Sequence, residues 1–278
     1  MRKVLIAGLF AAIIPVAASL ADSNNNSADT MPPSHEIEAK FVITIGGLKV
    51  GKLYFSATLD EGTYDSRVTL KAKGMAGLFV KANVDATTKG SHAQHAFQPV
   101  RYQRTQHKRK GPKTVKVDYS NGTPETIVFD PARARPLKYP VSEENRRDTL
   151  DPVTAILQII APSEGSPCDR SYEVFDGKKR YDFHLEPLEA GEEPMGPAPD
   201  GADNMIVCRA YYVRVDGFNP KDLKELPPPP IDGWFTKLEG GLYWKLERLA
   251  TQTDFGVAIL TTDRFIIREP DIKKAEVQ

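Results

Sequence analysis

Residues 147–162 read RDTLDPVTAILQIIAP, and this stretch decides the fold. Asp151 can cap a first helical turn, because its carboxylate can accept the free backbone N–H groups there. Pro152 fits the first helical position, where no donor is needed, and Pro162 stops the helix from continuing. Apolar side chains lie almost all the way round the residues between them. We therefore predict a short helix that is buried rather than wet on one face.

From residue 36 onward the remaining chain alternates apolar and polar residues, which is the period of a β-strand. Turn pairs such as Asn121 and Gly122 separate these runs and predict antiparallel hairpins. The expected fold is mainly β: a curved antiparallel sheet, an incomplete barrel or β-spiral, with the helix packed against its inner face. We expect Ile156→Asp and Leu157→Asp each to unfold such a protein.

The N-terminus has the layout of a secretory signal peptide: two basic residues, an apolar run over residues 4–20, and small residues before a cleavage site after Ala21. The alternative is an uncleaved membrane anchor. We predict a protein exported from the cytoplasm, divided into a signal peptide at 1–21, a disordered linker at 22–35, one β-rich domain at 36–269 and a frayed tail at 270–278.

The chain has two cysteines, Cys168 and Cys208. Behind a signal peptide such a pair is expected to form a disulfide. The chain-entropy model assigns that bridge about 4 kcal/mol for a loop of this length. A redox pair and a metal site are the alternatives, but the spacing is not that of a Cys-x-x-Cys motif.

No catalytic motif is recognisable in the sequence, which has no nucleophile elbow, no Cys/His nucleophile arrangement and no phosphate loop. His92 and His95 could share a metal, although we expect a turn with exposed imidazoles instead. We predict no catalytic residue, no metal site, no cofactor and no enzymatic activity. Basic and acidic residues number 37 each, and this balance gives no reason to expect nucleic-acid binding.

Aromatic residues concentrate in the last third of the chain. They form either core alone or core plus a concave surface that holds an apolar ligand. The residues predicted for that ligand surface are Tyr211, Trp234, Phe235 and Trp244.

One basic cluster stands out. It could face anionic lipid headgroups, a polyanionic glycan or an acidic partner, or it could be a solvated hairpin whose lysines discourage edge aggregation. The predicted patch consists of Arg101, Arg104, Lys108, Arg109 and Lys110, and the wider cluster adds His107, Lys113 and Lys116.

A set of short motifs in fixed order resembles an uncharacterised bacterial envelope family, domain of unknown function 3108 (DUF3108). The motifs are Gly46 to Gly51, Tyr64, Pro99 to Tyr102, Phe129-Asp130, Asp151 to Ala155, Phe175 to Tyr181, Cys208 and Trp234 to Thr236. The resemblance extends over residues 41–262 and implies a periplasmic β-rich protein without known catalytic residues. The chain departs from the family pattern at residues 239–244, which leaves the pairing of the last strands open.

Three functions follow as hypotheses. The first is non-enzymatic envelope maintenance in the periplasm, by binding a lipid or other apolar ligand, or an envelope protein partner. The second is a scaffold or interaction module, and the third is a cell-wall hydrolase. The protein is not expected to be an integral membrane protein.

Overall fold

The computed structural model describes residues 34–72, 83–93, 96–161, 165–239 and 243–268. The predicted signal peptide, residues 22–33 of the predicted linker, the predicted tail, His95 and Pro162 lie outside the described residues.

The described residues form thirteen strands in one antiparallel sheet, not closed into a barrel, and the predicted mainly β class is confirmed. The strands are β1 (His35–Ile45), β2 (Leu48–Asp60), β3 (Thr63–Ala72), β4 (Asn83–Ala93), β5 (Ala96–Lys108), β6 (Gly111–Ser120), β7 (Thr123–Asp130), β8 (Arg170–Phe175), β9 (Arg180–Pro187), β10 (Ile206–Asp216), β11 (Ile231–Lys237), β12 (Trp244–Thr253) and β13 (Gly256–Arg268). Two α-helices accompany them, α1 (Pro152–Ile160) and α2 (Pro220–Lys224).

The sheet consists of two meanders joined at a central seam. Its strand order is β7-β6-β5-β4-β3-β2-β1-β13-β12-β11-β10-β9-β8. Strands that are neighbours in sequence pair, except for β7 and β8, which are the two ends of the sheet. At the seam β1 pairs with β13, for example Ile37 with Ile267. The pairing of the late strands, which the sequence left open, is antiparallel between β11 and β12, where Lys237 pairs with Trp244, and between β12 and β13.

Helix α1 begins and ends as its sequence predicts. Asp151 is the N-cap, and its side chain accepts hydrogen bonds from the backbone N–H groups of Val153 and Thr154. Val153 and Leu157 are 1% and 0% exposed, within the core that the inner faces of β1–β7 form. Ala155 is buried on the other side, in a second core with residues of β8–β12.

The sheet curls until its two ends approach each other without pairing. Two consecutive backbone N–H groups bridge the gap: Thr149 donates to the Gly122 carbonyl oxygen at 3.1 Å and Leu150 to that of Glu173 at 2.8 Å. The β8–β9 turn also presses onto the far half, because a Cβ atom on Gly177 would lie 2.6 Å from a methyl group of Val115 on β6.

We expect Gly177→Ala to destabilise the protein more than Gly191→Ala. Both glycines have a positive φ, +87° and +93°, so both variants carry the backbone strain of a left-handed residue, about 1–2 kcal/mol. Only Gly177 also faces a packed neighbour, and overpacking adds roughly 1–3 kcal/mol. Chemical denaturation of the two variants measures this difference. Equal destabilisation would mean that the turn does not touch β6.

Candidate functional site

An apolar groove opens on the inner face of the sheet, between one edge of α1 and β9–β12. Its volume is about 190 Å³. Every lining residue is apolar or glycine, and the set consists of Ile156, Ile159, Ile160, Phe183, Leu185, Cys208, Ala210, Ile231, Gly233, Phe235, Leu246 and Leu249.

Different faces of α1 contact different parts of the protein, and one of them forms a wall of the groove. Val153, Leu157 and Ile160 anchor α1 to the first half of the sheet, whereas Ile156 points away from that core and is 36% exposed. The expectation that α1 is buried all round is therefore wrong at Ile156, which belongs to the groove lining. The apolar residues continue around the helix because one of its faces borders this cavity.

Strand alternation divides the four predicted ligand-surface aromatics between two faces. Phe235 lines the groove, and Trp244 is buried beside it in the second core. Trp234 and Tyr211 alternate to the opposite face of the sheet from the groove-lining Gly233 and Ala210. Trp234 is 1% exposed there and Tyr211 is 39% exposed. The aromatic residues of the last third of the chain therefore lie on both faces of the sheet, and amino-acid composition does not show which face each one occupies.

Residues 188–205, most of them exposed, cover part of that opposite face. Asp232 is fully buried and accepts hydrogen bonds from Arg209 Nε at 2.8 Å and from the Met195 backbone N–H at 2.7 Å. Arg248 donates to the Pro197 carbonyl oxygen. The disulfide between Cys168 and Cys208 ties β10 to the segment before β8, and the predicted cysteine pairing is confirmed.

Asp151 is a second fully buried carboxyl group, and both of its oxygens accept hydrogen bonds from the protein. Its Oδ1 accepts from the backbone N–H groups of Val153 and Thr154 at 2.8 and 3.0 Å. Its Oδ2 accepts from the Thr88 and Thr154 hydroxyl groups at 2.7 and 2.5 Å. Because the Thr154 hydroxyl group donates to Asp151, the Tyr64 hydroxyl group is the donor in its hydrogen bond to Thr154 Oγ1, at 2.7 Å.

Burial raises the pKa of Asp151 above its ordinary value, while the hydrogen bonds from Thr154 and Thr88 act in the opposite direction. Burial likewise raises the pKa of Tyr64. Perturbed carboxyl groups often mark catalytic sites. This one is 0% exposed and is absent from the groove lining. Three of its four hydrogen bonds cap α1, and the fourth, from Thr88, joins the helix to β4. Asp151 fixes the position of the helix.

The predicted basic patch does not form one surface. Arg101 lies on the outer face of β5 and pairs with Asp118 at 2.6 Å. Arg104 and Lys108 alternate to the inner face, where both line a pocket of about 430 Å³. Arg109 and Lys110 occupy the exposed β5–β6 turn and do not line it.

Three cationic residues of that pocket were not predicted: Arg133, Arg135 and Lys178. Each reaches it from a segment distant in sequence from β5, so charge patterning along the chain could not group them.

His92 lies in strand β4 rather than in the predicted exposed turn. His92 is 9% exposed rather than open to solvent, and its Nε2 donates to the Asp60 carbonyl oxygen at 2.8 Å. Among the described residues, no three His, Cys, Asp or Glu side chains lie together as metal ligands would. In the same part of the chain, no helix has the length and hydrophobicity needed to cross a membrane.

One open antiparallel sheet, a single helix against its inner face and an apolar groove beside that helix define a mainly β protein of one curled sheet. Within that class, a family model described as a protein of unknown function, DUF3108, matches residues 40–262. The match spans most of the chain, which therefore belongs to this family. Searches of curated proteins and of solved structures each found no significant match.

Proposed function

We propose that this protein is a non-enzymatic envelope protein of the periplasm that binds a single acyl chain, or a similar apolar group, in the groove beside α1. The supporting observation is that no polar side chain lines the groove, while Ile156 gives it access to solvent. The disulfide fits a compartment outside the cytoplasm.

The size of the groove favours one chain over a whole lipid. Its 190 Å³ falls below the roughly 300–1,000 Å³ of pockets that enclose drug-sized ligands. It exceeds the dry apolar cavity of about 150 Å³ that suffices for benzene. Each methylene group buried contributes about 0.8 kcal/mol, so a chain segment of a few carbons gives measurable affinity.

The chemistry of the lining disfavours an extended peptide as occupant. A bound peptide strand brings backbone N–H and C=O groups that need partners, and an unsatisfied buried group costs about 1–3 kcal/mol. The side chains around the groove offer no hydrogen-bonding partner. An acyl chain makes no such demand.

We infer binding rather than catalysis because the two fully buried carboxyl groups are both engaged within the fold: Asp151 caps α1, and Asp232 accepts hydrogen bonds from Arg209 and from the Met195 backbone N–H. A cleft that hydrolysed cell-wall glycans would need carboxyl groups facing it, and the groove has none in its lining.

Ile156→Asp is expected to weaken binding of a fluorescent polyene fatty acid at least tenfold. A carboxylate in the groove loses hydration when the chain enters, and this costs more than the roughly 1–3 kcal/mol of a neutral polar group; each 1.4 kcal/mol corresponds to a factor of about ten in Kd. Fluorescence titration of the purified protein provides the measurement.

Val128→Asp is the matched control. Val128 is 47% exposed and lies on the outer face of β7, where it pairs with Lys116. This variant should bind the fatty acid like the unaltered protein. Unchanged binding by Ile156→Asp would refute the proposal and favour a scaffold role. Native mass spectrometry of protein purified from cell envelopes would add the identity of any co-purified acyl ligand.

A further inference from the structure

The pocket at the open end of β5–β7 gathers positive charge from four separate segments. Arg104 and Lys108 come from β5 and Lys113 from β6; Arg133 and Arg135 follow β7, and Lys178 comes from the β8–β9 turn. The two carboxylates close to them are Asp130, in the pocket lining, and Asp176, which accepts from Arg104 Nη1 at 3.2 Å. Six cationic side chains therefore meet two anionic ones.

The fold holds these cations near one another. The Arg133 guanidinium and the Lys178 ammonium lie 5.4 and 5.3 Å from the centre of the same Phe129 ring. Asp176 Oδ1 accepts from the backbone N–H groups of Lys178 and Lys179 at 2.9 and 2.8 Å, which fixes the turn that carries Lys178. Neighbouring strands β5 and β6 fix the other side.

We propose that this pocket binds a phosphoryl group, either of a phosphate monoester in solution or of a lipid headgroup. A phosphate monoester carries a charge of about −1.5 to −2 and three strong acceptor oxygens, which matches several converging cations better than a single carboxylate does. The guanidinium groups of Arg104, Arg133 and Arg135 can offer paired N–H donors to such oxygens. Gln106 also lines the pocket and is a neutral donor for a neighbouring hydroxyl group.

Lys178 shows the local excess of positive charge. Burial lowers the pKa of its ammonium group, and the charge of Arg104 adds to that effect. Like charges confined together are unfavourable, and an anion between them would relieve the repulsion. This also separates the pocket from a solvated hairpin, whose cations would point apart.

Isothermal titration calorimetry at fixed ionic strength tests the site with three probes: inorganic phosphate, glycerol 3-phosphate and dihexanoyl phosphatidic acid. The double variant Lys113→Gln/Arg133→Gln should bind glycerol 3-phosphate at least tenfold more weakly. The control Arg109→Gln/Lys110→Gln removes the same charge from the adjacent turn, which does not line the pocket. It should change the Kd by less than about twofold, because these exposed side chains are solvated and do not face the bound anion directly.

The probes also distinguish the two sources of the phosphoryl group. If it belongs to a lipid, dihexanoyl phosphatidic acid binds more tightly than glycerol 3-phosphate, because its chains add apolar contacts; loss of that gain in Ile156→Asp would show that the chains reach the groove. If it belongs to a soluble ester, the two probes bind equally and Ile156→Asp has no effect. Failure of the groove proposal thus leaves this site intact. Absence of saturable binding for all three probes, or equal weakening by both double variants, overturns it.

Discussion

Leu157→Asp is expected to abolish folding, whereas Ile156→Asp, one residue earlier on the same helix, is expected to fold. Leu157 is 0% exposed and packs in the main core. Loss of its side chain alone costs roughly 2–5 kcal/mol, and an unpaired buried carboxylate adds several more. Together these approach the whole stability of an ordinary domain, about 5–15 kcal/mol.

Circular dichroism and urea denaturation of both variants measure this contrast. Ile156 loses little on substitution because it borders the groove and is 36% exposed. Leu157→Ala serves as an intermediate, since it removes the side chain without adding charge. A cooperative unfolding transition for Leu157→Asp at the unaltered midpoint would mean that α1 is not part of the core.

Asp151→Ala is the second large effect, and we expect a loss of roughly 3–5 kcal/mol. The substitution removes an N-cap, which costs about 1–2 kcal/mol. It also leaves the buried hydroxyl groups of Thr88 and Thr154 without their acceptor, at about 1 kcal/mol or more each. Asp151→Asn keeps an oxygen for the two backbone N–H groups, so its loss should stay near 1 kcal/mol.

The stabilities of the unaltered protein and of Asp151→Asn are expected to depend differently on pH. The pKa of Asp151 is raised in the folded state, so the folded protein holds this proton more tightly than the unfolded chain does. Stability then falls as the pH rises from the unfolded pKa through the folded one. Asp151→Asn lacks this term and should gain stability relative to the unaltered protein over that interval.

Denaturant midpoints of both proteins at a series of pH values from 3.5 to 8 provide the test, with buffers matched in ionic strength. The stability deficit of Asp151→Asn relative to the unaltered protein is expected to be largest at the acidic end and to shrink as the pH rises. A constant deficit would show that the carboxyl group titrates normally, and hence that it is not buried beside Thr88.

Local features of the fold were predictable because their determinants lie close together in sequence. The Asp151-Pro152 start fixes α1, and the Asn121-Gly122 turn joins β6 and β7, with both residues at positive φ. Strand alternation places Trp234 and Phe235 on opposite faces of β11, but the sequence does not show that both faces are buried. Trp234 is buried on the side that residues 188–205 cover, and Phe235 faces the groove.

The groove and the phosphoryl pocket could not be predicted from the sequence, because each is formed by segments that lie far apart along the chain. The groove pairs Ile156 with Leu249, and the phosphoryl pocket pairs Arg104 with Lys178. Such sets depend on how far the sheet curls, which strand periodicity does not specify. Residues 220–224 are a smaller example: the prolines at 227–230 favour an extended segment, and just before them Asn219 caps the short helix α2.

The seam between β1 and β13 has a consequence for the order of assembly. Arg268 and Glu38 form an ion pair across 230 positions of sequence, whereas every other strand finds its partner nearby. The two meanders can collapse early from local contacts, but they join only after the last strand has been synthesised, and distant pairings of this kind form slowly. A truncation that removes β13 would leave two half-sheets, each with an unpaired edge open to aggregation.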